Sequence, residues 1–156
     1  MSGLSKIVRV TAAVLMVPVS TFGLYVIMHG HLTPGGGFQG GAVLATISAL
    51  FIIAYADEIK KALDVNLLSL VETLALITFI SLAFLGLSTT FFSNFLLKAG
   101  ELFNNPAVGI NGGDLNTGGI IPLMNMAVGL EVFSALSLIM VLMYYGSKME
   151  VPEDVS

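Results

Sequence analysis

Four apolar stretches, each long enough to cross a lipid bilayer, limit what this chain can fold into. They run from about Val10 to Met28, Phe38 to Tyr55, Leu67 to Phe92 and Ile120 to Tyr145. A helix needs about 20 apolar residues to cross ~30 Å of hydrocarbon, and it satisfies every backbone polar group on the way. With 156 residues, the chain has room for four such helices and little else. Hydrophobic residues make up 56% of it and charged ones 10%, whereas a soluble domain carries about a quarter charged residues. The expectation is an all-α membrane protein with four transmembrane helices, one domain over residues 1–156, multi-pass in the cell membrane.

Lys6 and Arg9 precede the first run in the manner of a secretion signal. Its apolar core is longer than the ~7–15 residues of such a signal and no small-residue cleavage site follows, so it is read as a retained span. Pro18 inside it predicts a kink, which membrane helices tolerate when neighbours satisfy the freed carbonyl. The third run is long enough to tilt. Residues 94–103, in the polar segment after it, are expected to form a short amphipathic helix at the interface. If the spans alternate, Lys6, Arg9, Lys60, Lys61 and Lys148 share one side and Lys98 lies on the other. The positive-inside rule then puts both termini in the cytoplasm and the Gly-rich turns 29–37 and 108–119 outside.

Between the first two spans lies His29-Gly-His-Leu-Thr-Pro-Gly-Gly-Gly-Phe-Gln-Gly-Gly41. Pro34 fixes its own φ, and Gly35, Gly36 and Gly37 open positive-φ conformations to the turn. Gly40 and Gly41 fall in the first turns of the next helix, where a missing side chain lets another backbone come close. Gly41, Ala45, Ser48 and Ala49 continue that face as a narrow small-residue stripe. His29 and His31 are the only histidines. They are either ordinary interface residues of a tight hairpin or imidazoles that exchange protons with external water. The glycines are not a P-loop, because no Lys-Ser/Thr pair follows them, and a missing preceding strand excludes a Rossmann fingerprint as well.

Two carboxylates fall inside spans. Glu131 lies about eleven residues into the fourth run, near the midplane at ~1.5 Å per residue. Insertion scales put an acidic residue there at roughly 2.5–3.5 kcal/mol. Ala127, Ser134 and Ala135 share its side, so it faces another helix or water. It is a candidate proton or cation relay, with a hydrogen-bonding neutral acid as the structural alternative. Glu72 lies about one and a half turns into the third run, with Ser69, Ala75 and Ala83 on its face. It either begins a half-channel or snorkels to the headgroups and pairs with Lys60 or Lys61. Asp114 reads as a capping or turn residue. The absence of cysteine excludes disulfides and thiolate-held iron–sulfur clusters. No basic cluster invites nucleic acid, and no cofactor box, metal cluster or nucleophile–base pair is visible, so the chain is not an enzyme acting alone.

The run from His31 through Pro34-Gly-Gly-Gly-Phe-Gln-Gly-Gly41 after one apolar helix resembles the MnhB, or MrpB, family. A second match is Thr117-Gly-Gly-Ile-Ile-Pro-Leu-Met-Asn125 leading into an apolar helix, and with the hydropathy profile the resemblance covers nearly the whole chain. Those proteins are small membrane subunits of multisubunit cation/proton antiporters, with relatives in archaeal hydrogenase-type respiratory complexes. The resemblance implies sibling membrane subunits as partners and Na⁺ and H⁺ as transported ions. It assigns no functional residue within the motif, so Glu131, Glu72, His29 and His31 stand on their physics alone. A purely structural assembly subunit is the competing expectation, and an autonomous carrier is disfavoured because four helices leave few walls around a midplane site.

The orientation is directly testable, because the chain has no native cysteine. Ile110→Cys is expected to react with an impermeant thiol reagent from outside, and Glu150→Cys is not. The opposite pattern inverts the topology and moves both histidines to the cytoplasmic side.

Overall fold

The computed structural model describes residues 6–56, 63–87, 90–98 and 118–149. Within these, α1 spans Lys6–Met28, α2 Gly37–Ala54, α3 Val65–Leu85 and α4 Ile121–Met149, with a short 3-10 turn at Phe95–Lys98. All four helices are long and apolar enough to cross a membrane. α1 continues through Pro18. Asp64 caps α3, its carboxylate accepting the Asn66 amide at 2.9 Å. The helix ends at Leu85, before the apolar run does. Beyond it Phe92 takes φ 63°, and a Cβ on Gly86 would lie 2.6 Å from the Ser93 carbonyl. Phe91 therefore packs back edge-on against Phe84, with ring centroids 5.2 Å apart. Of the interfacial helix expected over 94–103, the described part is the 3-10 turn alone. Asp114, Lys60, Lys61, most of the turn 108–119 and the positions used for thiol labelling lie outside the described residues.

Glycines decide how the helices meet. α1 and α2 form an antiparallel hairpin in which Gly23 faces Gly40, and a Cβ on Gly40 would stand 2.8 Å from the Gly23 carbonyl. At the far end of the hairpin the Tyr55 hydroxyl donates to the Arg9 carbonyl at 3.2 Å, beneath the Arg9 guanidinium. α2 and α4 run parallel, in register from end to end. Gly37 meets the Asn125 carbonyl, Gly41 meets that of Gly129, Ser48 bonds Ser137, and the Tyr144 hydroxyl donates to the Ala56 carbonyl. α3 packs antiparallel on α4, joined at the terminal end by Leu68 and Val141. The chain is thus two hairpins whose second helices lie side by side.

Burial is inverted relative to a soluble domain. Ala12, Ala45, Ala75, Ala83, Ala127, Ser134 and Ser137 are buried, while Val14, Phe22, Leu74, Ile77 and Phe84 are exposed. Lipid is as apolar as leucine, so large side chains gain little by turning inward, and close backbone packing holds the bundle instead.

One expectation about the turn is corrected. Among Gly35, Gly36 and Gly37, only Gly35 has positive φ, at 134°. Gly36 is extended, at φ 169°, a conformation open to any residue. Gly37, Gly40 and Gly41 are needed because backbone atoms of α4 and α1 occupy the space a side chain would take. Gly41→Ala, which sets a Cβ 2.6 Å from the Gly129 carbonyl, is expected to destabilise the bundle by about 1–3 kcal/mol. The unfolding midpoint in mixed micelles reads this directly. Gly146→Ala, inside α4 with open space around it, should leave the midpoint unlowered or raise it slightly, since Ala favours the helix over Gly.

Candidate functional site

The two carboxylates within the described spans lie on the pair of helices that pack antiparallel, Glu72 on α3 and Glu131 on α4, and each is half-buried. On α3, Leu68, Glu72, Ala75, Phe79 and Ala83 recur at steps of three and four, which places them on one face of a helix. Leu68, Ala75 and Ala83 of this stripe are buried, and Glu72 is half-buried among them. The matching stripe on α4 is Ala127, Glu131, Ser134, Leu138 and Val141. There Ala127, Ser134 and Val141 are buried and Glu131 is half-buried. The antiparallel register set by Leu68 and Val141 puts Glu72 and Glu131 within roughly two helical turns, ~11 Å along the axis, of each other. Sequence spacing had put them on separate helices without saying that those helices share a seam.

Small neighbours let the helices approach here, and no cation compensates the carboxylates from within the spans. Arg9 and Lys148, near helix ends, are the only basic residues of the four helices besides Lys6. Among the described residues neither carboxylate has a hydrogen-bond or ion-pair partner. An apolar cleft of about 440 Å³ opens beside the seam, lined on α3 by Val71, Leu74 and Thr78 and on α4 by Leu123, Met126 and Leu130. Neither glutamate lines it, and its one hydroxyl, on Thr78, is committed to the Leu74 carbonyl at 2.8 Å. A polar line continues down α4 from Glu131. Ser134 bonds back to the Leu130 carbonyl at 2.7 Å, and Ser137, fully buried, meets Ser48 across the α2 interface at 2.7 Å.

At the other end the two histidines part ways. His29 stacks on Tyr25, centroids 4.2 Å apart, and its Nδ1–H donates to the Tyr25 carbonyl at 3.1 Å. The bond places the proton of the neutral ring on Nδ1 and leaves His29 a local anchor of the α1 end. His31 turns inward against the second Gly-rich segment, its Cδ2 3.3 Å from where a Cβ of Gly118 would stand. Pro34 is exposed on the turn. Asn94 secures the second segment. Its Nδ2 donates to the Gly118 carbonyl at 2.8 Å, and its Oδ1 accepts the Ile120 amide at 2.9 Å. Gly118 and Gly119 both take positive φ, 88° and 63°, so the two Gly-rich segments touch through His31. Among the described residues no three His, Cys, Asp or Glu converge as a metal site would require.

Asn94, Asn125 and Ser137 went unrecognised as interior contacts in the sequence. For Ser137 a signal existed, since Glu131, Ser134 and Ser137 follow one another at helical spacing. For Asn94 none did, because its role depends on a turn 24 residues away.

Fold and seam together define a small multi-pass membrane protein with ionisable groups half-buried on its helices. Residues 7–138 match the family described as a domain related to the MnhB subunit of Na⁺/H⁺ antiporter, and the chain belongs to that family. It is 32% identical over 133 residues to Uncharacterized protein MJ1307 of Methanocaldococcus jannaschii, covering 85% of this chain and 50% of that one. Similarity extends to proteins named as mnhB2 antiporter subunits. One, from Staphylococcus epidermidis, is 33% identical over 64 residues, 40% of this chain and 43% of the relative. Another, from Staphylococcus haemolyticus, is 28% identical over 98 residues, 62% and 67% respectively. The chain thus spans about half the length of the Methanocaldococcus relative that it matches.

The Ser48–Ser137 bond offers a quantitative check of how much interior polarity stabilises the bundle. Ser137→Ala strands the Ser48 hydroxyl, and a double-mutant cycle with Ser48→Ala is expected to give a coupling of about 0.6 kcal/mol, near the average for hydrogen bonds between membrane helices. Unfolding in mixed micelles supplies the four free energies.

Proposed function

We propose that this protein is a membrane subunit of a multisubunit Na⁺/H⁺ antiporter-like module. It contributes to the ion or proton path and to the packing of sibling subunits, within a redox-driven respiratory complex and with both termini in the cytoplasm. The family and the names of the staphylococcal relatives support the antiporter class. The redox coupling rests on the hydrogenase-type members of that family, and the orientation on the distribution of Lys and Arg. What supports a working path, rather than a purely structural role, is that Glu72 and Glu131 are half-buried on two helices that pack together, each with small residues at helical spacing around it. Ionisable groups in a bilayer are expensive and mark ion pathways. Two on helices that pack together, with no basic residue between them, suit a relay that takes up and releases positive charge. Na⁺ or H⁺ neutralises one carboxylate at a time in such an arrangement. His31 and His29 stand at the turn end of the same bundle, where a proton would be exchanged with water.

Glu131→Gln tests the assignment. The amide keeps the volume and can still hydrogen-bond a partner helix, but it can neither cycle a proton nor offer a cation a negative charge. The complex should assemble at normal yield and lose most of its cation-dependent proton movement in inverted vesicles, with Glu72→Gln the next variant. Full retention of cation-coupled proton transport would leave the subunit a structural role.

A further inference from the structure

The junction of the two Gly-rich segments holds three buried nitrogens that no protein atom satisfies: Nδ1 and Nε2 of His31 and Nδ2 of Asn125. Roughly nine in ten buried polar groups have a hydrogen-bond partner, so each exception calls for an explanation. These three sit close together in the fold. His31 lies against Gly118, and the Asn125 Nδ2 is 2.9 Å from the Cβ position of Gly30, the residue before His31. Several polar side chains nearby are already committed. Thr33 donates to the His29 carbonyl at 3.2 Å, His29 to that of Tyr25, and Asn94 bridges Gly118 and Ile120. Gln39 Oε1 and Asn125 Oδ1 lie 3.5 and 3.6 Å from the Cβ position of Gly36 as further acceptors.

Donor chemistry narrows the occupant. A neutral imidazole offers one N–H and one lone pair, and an amide nitrogen offers N–H groups only. One imidazole lone pair and two neutral amide oxygens bring no negative charge to hold a cation. No Lys or Arg occurs between His29 and Gly41 or between Gly118 and Asn125, so nothing there supplies the positive charge that would retain an anion. Small neutral molecules that both donate and accept, one at each ring nitrogen, fit all three nitrogens.

We propose that this junction is a hydration site, with one water donating to the bare nitrogen of His31 and a second accepting from its N–H, one of them also accepting from the Asn125 amide. Resting on the ion-path role proposed above, the site makes His31 a proton link. A proton arriving from water on the bare nitrogen gives an imidazolium, and the proton on the other nitrogen then leaves to the next water. The neutral ring is restored as the opposite tautomer, and reorientation of the ring and its waters resets it. Charge and atoms balance without any co-reactant.

Two histidines make the test clean. The ring contacts of His29 are with Tyr25, so His29→Gln leaves His31 as the sole imidazole in the subunit. The intact complex is reconstituted in lipid vesicles with ¹⁵N-histidine in this subunit alone. Solid-state NMR should then show magnetisation transfer from water to both ring nitrogens of His31. Asn125→Leu, which fills the junction with an apolar group, should reduce that transfer several-fold in complex that still assembles. Transfer to one nitrogen or to neither in the His29→Gln complex overturns the site, and so does transfer undiminished by Asn125→Leu. The outcome is separable from the fate of Glu131→Gln. Water at His31 with transport intact in Glu131→Gln keeps the hydration site and removes the ion path, whereas a dry His31 with transport lost does the reverse.

Discussion

Backbone held against backbone is the contact on which the rest of this structure depends. α2 lies between α1 and α4 and meets both through glycine, using Gly40 toward Gly23 on one side and Gly37 and Gly41 toward the carbonyls of Asn125 and Gly129 on the other. Dispersion between closely apposed surfaces replaces the hydrophobic effect, which has little to act on within lipid. The same approach fixes the register of α2 on α4 over their full length, and so brings Ser48 to Ser137 and Tyr144 to the end of α2. A bundle with alanine and serine at its centre has no other means of specifying its geometry.

That geometry separates two kinds of interior polarity. Ser134 and Ser137 are satisfied, one by its own helix and the other across an interface, and behave as structural glue. Among the described residues Glu72 and Glu131 have no hydrogen-bond or ion-pair partner, and the ring nitrogens of His31 and the Nδ2 of Asn125 are buried without one. They fall in two places, the α3–α4 pair and the contact between the Gly-rich segments. An unmade hydrogen bond costs about 1–3 kcal/mol when buried, which applies to the His31 and Asn125 nitrogens.

Much of the fold was legible because hydropathy reports directly on bilayer thickness. The starts and ends of α1 and α2 follow the apolar runs to within a few residues, and Gly40, Gly41, Ala45 and Ser48 are buried as their helical spacing indicates. The end of α3 was not legible, since Phe91 and Phe92 are as apolar as any spanning residue. What stops the helix is a reversal at Gly86 that depends on Ser93. The turn was misjudged in an instructive way. Composition alone cannot tell a glycine needed for its backbone angle from one needed for the space it leaves. Gly35 belongs to the first kind, and Gly37 and Gly41 to the second. Helix adjacency was likewise hidden. Periodicity set Glu131 toward a helix or water and left Glu72 open between a half-channel and the headgroups, and it could not say that α3 and α4 pack on each other.

The uneven quality of the interfaces divides the bundle mechanically. α1, α2 and α4 are locked by glycine contacts that tolerate almost no sliding, because any displacement drives carbonyl oxygens into neighbouring backbone. α3 is attached through side chains along one seam and borders an apolar cleft. Among the described residues no glycine-to-backbone approach of the kind that sets α2 against α1 and α4 fixes its position, so its seat on α4 depends on the volumes of those side chains.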